Sequence, residues 1–264
     1  MTEIRRQRVD APQEQGKIHV AVCTVIALVH QPRLWGQAHL LRQRLCRQTG
    51  QMSGGEVRQD FMGTAHDGIQ SVGAAAAALQ TAGLEAEAAM FRATGGVNTH
   101  KGALFSFSVL LAALGRYLSD GGDVFAHAAA LVAELTPPQN TNGSAVALRH
   151  QVGGARAEAL AGFPTARKAA ALLQTHDPLT VLLWLMAHTE DTNLYYRGGV
   201  EGAAFVKARS AAILAAPVER RISLAQALDD ALIDRWLSPG GCADLLAMAL
   251  FLNNFFTAFH FFGK

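Results

Sequence analysis

Leu104-Phe105-Ser106-Phe107-Ser108-Val109-Leu110-Leu111-Ala112-Ala113-Leu114-Gly115-Arg116-Tyr117-Leu118 is apolar on nearly every face when wound as a helix. A helix that is hydrophobic all round is normally enclosed by other elements, so this stretch predicts a helix surrounded by others. Working outward, the alanine-rich run Ala74 to Leu79 reads as helix, because alanine is the strongest helix former. Glu85 to Arg92 is a second short helix that ends near Gly95. Val124 to Leu135 stops before Pro137-Pro138, which cannot continue a helix. Ala166 to Leu173, Pro178 to Met186, Ala203 to Leu214, Leu224 to Leu237 and Ala243 to Phe259 carry the same pattern. Period-two alternation between turn signals is nearly absent, so no strand is expected. The expectation is an all-α protein: a single globular multi-helix domain with Gly-rich helix–helix turns.

Composition narrows the class. Half of the 264 residues are hydrophobic, 17% are charged, and the formal net charge is +2. A disordered chain needs the opposite balance. Twenty-three basic residues nearly cancel 21 acidic ones, so no nucleic-acid partner is expected. Cys23, Cys46 and Cys242 are too scattered for a disulfide framework or zinc site, which suits a reducing, cytoplasmic setting. Ile18 to Val29 is too short to span a bilayer, and Leu245 to Phe262 is interrupted by Asn253, Asn254 and His260. The second stretch reads as a buried core helix, so no membrane association is expected. Residues 1–68 differ in texture from 69–264: they are rich in Arg and Gln, as at Arg42-Gln43-Arg44, and read as a divergent N-terminal segment.

Polar clusters at the helix junctions point to chemistry. Thr94-Gly95-Gly96-Val97-Asn98-Thr99-His100-Lys101-Gly102 opens the most apolar helix. Its polar groups would be costly to bury without partners, and Lys101 at a helix start opposes the macrodipole unless an anion is near. No Gly-Lys-Ser/Thr ending makes this a Walker A loop. A second cluster, Glu190-Asp191-Thr192-Asn193 with Arg197-Gly198-Gly199, offers hard oxygen donors for Mg²⁺ and a guanidinium for phosphate; an N-cap with a surface ion pair is the alternative. A third, Ser238-Pro239-Gly240-Gly241-Cys242-Ala243-Asp244, reads locally as Ser at N-cap and Pro at N1. Cys242 reads as a packing residue, since no base lies at a suggestive spacing.

Taken together and in this order, Thr94–Gly102, Asp191–Asn193 with Arg197–Gly199, and Ser238–Leu246 resemble the triphosphoribosyl-dephospho-CoA synthases. Arg156-Ala157-Glu158 and Gly162-Phe163-Pro164 extend the likeness, which runs from about Leu84 to Leu252. That family opens with Pro-Lys-Pro-Gly-Leu-Val-Asp followed by Gly-(Ser/Ala)-His-x-Asp-Met. Here the nearest echo is Gly63-Thr64-Ala65-His66-Asp67, with His and Asp adjacent.

The resemblance implies an all-helical transferase that moves the 5-triphosphoribosyl group of ATP to the 2′-hydroxyl of 3′-dephospho-CoA, releasing adenine. The product becomes the prosthetic group of the acyl carrier protein of citrate lyase or malonate decarboxylase. A downstream acyl-carrier-protein phosphoribosyl-dephospho-CoA transferase is the implied recipient. His100, Asp191 and Asp244 are the expected catalytic residues, with Asp191 and Asp244 also holding Mg²⁺. Gly95, Gly96, Asn98, Thr99, Lys101, Asn193, Arg197, Gly198, Gly199, Ser238, Gly240 and Gly241 are expected to line the ATP site. Two alternatives stand beside this: a catalytically impaired nucleotide- or CoA-binding relative, and a helical metal-dependent hydrolase of an N-glycosidic bond.

Overall fold

The computed structural model describes residues 71–96, 98, 101–137 and 142–259. Helix α1 (Val72–Ala93) starts at Ser71, whose hydroxyl accepts the Ala74 N–H at 3.2 Å, one of the orphan donors every helix start must satisfy. It is one continuous helix where the sequence suggested two short ones. Gly83 sits at their join, and nothing lies within 4 Å of where a Cβ would stand. The roughly 1 kcal/mol that glycine costs a helix is smaller than the gain from the alanines on either side.

Among the described residues nine more helices follow: α2 (Lys101–Asp120), α3 (Val124–Glu134), α4 (Asn142–His150), α5 (Gly154–Leu160), α6 (Pro164–Leu172), α7 (Pro178–His188), α8 (Thr192–Ala215), α9 (Val218–Asp234) and α10 (Gly240–Phe259). There is no strand among the described residues, as the periodicity led one to expect. Helices α4 and α5 had no counterpart among the expected helices, since both are short and begin among Asn and Gly.

Helix α10 packs against α2, α6, α7 and α8. Its Cys242, Leu246, Met248, Ala249 and Leu252 are wholly buried, so the apolar run from Leu245 is a core helix within the described residues. No helix among the described residues is long and apolar enough to cross a membrane. The all-round apolar stretch in α2 is only partly enclosed. Val109, Leu110, Ala113 and Leu114 are buried, but Leu111 is 52% exposed. Apolarity on every face therefore does not require a neighbour on every face.

Arg156 and Glu158, part of the family resemblance, prove to be capping groups. Arg156 Nη2 donates to the carbonyls of Val132 and Leu135 at 2.9 and 2.8 Å, closing the end of α3. Glu158 accepts the N–H groups of Thr165 and Ala166 at 2.6 and 3.1 Å, closing the start of α6. Each places charge where the helix dipole favours it. Between them, Phe163 adopts a left-handed conformation (φ 56°) and is fully buried. Burying a phenyl group is worth about 1.5–3 kcal/mol, enough to offset the roughly 1–2 kcal/mol of a left-handed non-glycine residue.

Candidate active site

Three helix N-termini, those of α2, α8 and α10, meet around two carboxylates. Asp191 is the N-cap of α8, with Oδ1 accepting the Asn193 N–H at 2.8 Å. Its Oδ2 accepts the N–H of Cys242, in the first turn of α10, at 2.9 Å. Asp244, one turn into α10, accepts the Ala103 N–H at the start of α2. Each helix start is thus bonded to a carboxylate from another helix or from its own cap. The sequence separation between the groups, 51 residues for the Asp191–Cys242 bond, is bridged only by the fold.

The packing at this junction leaves little room. A Cβ on Gly102 would lie 2.4 Å from Asp244 Oδ2, one on Gly240 would lie 2.8 Å from Asn193 Nδ2, and one on Gly241 would lie 3.1 Å from the Asp191 carboxylate. Contacts under about 3 Å force the neighbour to move. Glycine here serves close approach of the backbone to a carboxylate. Gly154, at the start of α5, closes the same region against Thr192.

The electrostatics follow from burial. Asp191 is 2% exposed. Desolvation pushes its carboxyl above the usual range, while the Cys242 and Asn193 N–H groups pull against that shift. Desolvation, and then the charge of Asp191, push Asp244 up to about 7. Burial also raises the Cys242 thiol well above its ordinary value, with Asp191 adding to the effect. That makes Cys242 a packing group and not a nucleophile. The nearby lysines are engaged outside this pair: Lys101 is bonded to Glu87 and Lys207 to Glu190, whose other oxygen accepts from the Tyr195 hydroxyl. The centre of the junction therefore carries excess negative charge.

Several residues expected to bind the nucleotide have structural tasks. Gly95 (φ 64°) and Gly96 (φ 86°) close α1. The Gly96 N–H donates to the Phe91 carbonyl at 2.7 Å, the six-to-one bond of a Schellman cap, so it is not free for a phosphate. Asn98 Oδ1 accepts the Lys101 N–H at 3.0 Å, capping α2. Gly198 and Gly199 lie inside α8, not at a helix start, and Gly199 (φ 62°, ψ −159°) kinks it. A Cβ on Gly198 would come 2.4 Å from Leu237 Cδ2, and Leu237 is 2% exposed. Leu237 fills the hollow and so fixes the loop that leads into α10. Pro239, not Ser238, caps α10, because the Ala243 N–H bonds the Pro239 carbonyl. Arg197 is exposed on α8. Thr99 and His100, and the segment 1–68 with His66-Asp67, lie outside the described residues. The ion pairs of Glu87 and Lys207 were not legible in the sequence, because their partners lie 14 and 17 residues away on other elements.

The Leu237 packing makes a direct prediction. Gly198→Ala should cost about 1–3 kcal/mol by overpacking, lowering the melting temperature by several degrees. Gly83→Ala, where nothing obstructs a methyl group, should instead stabilise by up to about 1 kcal/mol. Paired thermal melts read both signs, and a neutral Gly198→Ala would remove the Leu237 account.

Among the described residues no group of three or more His, Cys, Asp or Glu side chains is gathered for a metal ion. One or two carboxylates are nevertheless the protein share typical of Mg²⁺, which takes its other ligands from water and substrate phosphates. Both Asp191 oxygens already accept main-chain N–H groups, so it is the Asp244 carboxylate whose donor chemistry fits a magnesium–polyphosphate.

Comparison with known proteins shows the family. The profile of the ATP:dephospho-CoA triphosphoribosyl transferase (CitG) family matches residues 57–260, beginning inside the divergent segment. A probable 2-(5″-triphosphoribosyl)-3′-dephosphocoenzyme-A synthase of Albidiferax ferrireducens is 39% identical over 197 residues, 65% of each chain. The synthase of Pectobacterium atrosepticum is 39% identical over 201 residues, covering 66% of this chain and 64% of its own. That of Klebsiella pneumoniae is 38% identical over 203 residues, 67% of each. The matched part thus spans about two thirds of these relatives' lengths. No solved structure matches the chain. The glycine-lined carboxylate junction lies wholly within the matched residues, and the chain belongs to the ATP:dephospho-CoA triphosphoribosyl transferase family.

Proposed function

We propose that this protein transfers the 5-triphosphoribosyl group of ATP to the 2′-hydroxyl of 3′-dephospho-CoA and releases adenine. The observation that carries the reading is the convergence of three helix N-termini on Asp191 and Asp244. A triphosphate needs positive partners: Lys101 stands beside this junction, and the dipoles of three helix starts favour negative charge there even with their N–H groups bonded. A bound Mg²⁺, held by Asp244 with Asp191 behind it, would offset the charge between triphosphate and carboxylates.

In the transfer, the N-glycosidic bond from C1′ of the ATP ribose to adenine breaks and a bond from that carbon to the acceptor 2′-oxygen forms. The transition state resembles an oxocarbenium ion, as in other glycosyl transfers, so the buried negative charge at Asp244 stabilises the positive sugar. His100 takes the proton of the 2′-hydroxyl, a general-base step worth on the order of 10²–10⁴ in rate; adenine departs with a proton drawn from solvent, and His100 returns its own to solvent, so the protons balance. Lys101 and Arg197 hold the triphosphate, which remains on the transferred sugar. Asp191, with both oxygens bonded to main-chain N–H groups, acts by keeping α8 and α10 together. The product then passes to an acyl-carrier-protein phosphoribosyl-dephospho-CoA transferase serving citrate lyase or malonate decarboxylase.

The test is adenine release from ATP with Mg²⁺, in the presence and absence of 3′-dephospho-CoA. A synthase releases adenine only when the acceptor is present. Release without acceptor identifies a hydrolase, and tight binding of ATP with no release identifies an inactive binder.

A further inference from the structure

Lys101 is held at both ends. Its N–H is capped by Asn98 Oδ1 at 3.0 Å, and its ammonium group is bonded to Glu87, two turns before the end of α1. The ion pair is half-buried and joins α1 to α2 across 14 residues, so it spans the whole turn that carries the Gly95–Gly96 cap. The residue after Lys101 lies against the Asp244 carboxylate, which places Lys101 at the edge of the carboxylate junction. A lysine in the first turn of a helix works against the dipole, and a stability-driven choice there would be acidic. Supplying such a lysine with its own carboxylate keeps an ill-placed cation in position. Lysine is a flexible four-carbon arm with three donors, so one N–H can stay on Glu87 while the others face an anion.

We propose that Glu87 is a positioning residue that orients Lys101 toward a triphosphate, an assignment that rests on the reading of the site given above. Glu87 itself touches no substrate. Its effect requires an acceptor oxygen at that reach more than it requires a full charge.

The experiment is calorimetric titration of inorganic triphosphate with Mg²⁺ into the full chain and into Glu87→Ala, Glu87→Gln, Lys101→Met and the Glu87→Ala/Lys101→Met double variant. Glu87→Ala should weaken binding about tenfold, Glu87→Gln by less than about threefold, and the double variant no more than Lys101→Met alone, as expected for coupled residues. A residue that merely stabilised the fold would show its loss undiminished in the Lys101→Met background. That result would overturn the proposal, as would unchanged or tighter binding by Glu87→Ala, or no binding by the wild type. If the wild type binds triphosphate in the expected pattern yet releases no adenine from ATP, the transfer reading fails and the positioning role stands. If adenine is released but Glu87→Ala binds triphosphate normally, only the positioning role fails.

Discussion

Asp191→Ala should lower the melting temperature by on the order of 10 °C and reduce adenine release at least a hundredfold. The carboxylate is 2% exposed and is the acceptor for two main-chain N–H groups, from Asn193 and Cys242. Hydrogen bonds to a charged group contribute about 1.5–3 kcal/mol each, so losing both removes roughly 3–6 kcal/mol. For a domain of this size each kcal/mol shifts the midpoint by about 2–4 °C. The effect on rate has a separate origin. With the bond to Cys242 gone, the start of α10 is free to shift, and a displacement of about 1 Å at a reacting centre costs on the order of 10²-fold. Asp191→Asn should fall between, because its amide accepts one N–H but presents a donor to the other. Thermal melts and adenine release on the same samples check both parts. A variant with full stability and no activity would make Asp191 a group of the chemistry instead of the scaffold.

Asp244 should impose a pH dependence on the stability of the metal-free protein. Burial and the Asp191 charge raise its carboxyl from 3.8 to about 7 in the fold. Between about pH 4 and 7 the unfolded chain has lost this proton while the folded chain retains it. The folded state binds more protons there, so stability falls as pH rises through that window and levels off above it. A three-unit difference corresponds to at most about 4 kcal/mol; a decline of roughly 2–4 kcal/mol is expected. Asp244→Asn should remove that slope and be more stable than wild type at pH 8. Saturating Mg²⁺ should restore wild-type stability near pH 8, since a cation favours the ionised carboxylate. Denaturant unfolding at pH 5, 6, 7 and 8 reads the difference. Wild type and Asp244→Asn falling in parallel would show that Asp244 is not responsible.

The helical nature of the fold was legible in the sequence because amphipathic and alanine-rich runs report it locally. The run Val124 to Leu135 and the helix α3 (Val124–Glu134) nearly coincide. Asp123 caps it at one end, and the chain toward Pro137 cannot continue it. Boundaries that depend on what lies across the core were not legible. Gly198-Gly199 reads as a helix end, yet α8 runs through it with a kink, because Leu237 from a distant loop occupies the space a side chain would need. Gly95-Gly96 looks like a phosphate turn until the Gly96 N–H is found on Phe91. The same residue types serve caps and anion sites, and only the partner distinguishes them.

By itself, then, the sequence determined an all-helical fold, the family, and which clusters hold polar groups near helix starts. These are properties of short windows and of motif order. The tertiary structure alone decided that Asp191 bonds the start of α10, that Asp244 sits on Gly102 at the start of α2, and that Lys101 is held by Glu87. Those contacts join residues 14 to more than a hundred positions apart. No local propensity encodes them; they exist because α10 packs against both α2 and α8 and so brings three helix starts to one place, where the two carboxylates take up their N–H groups.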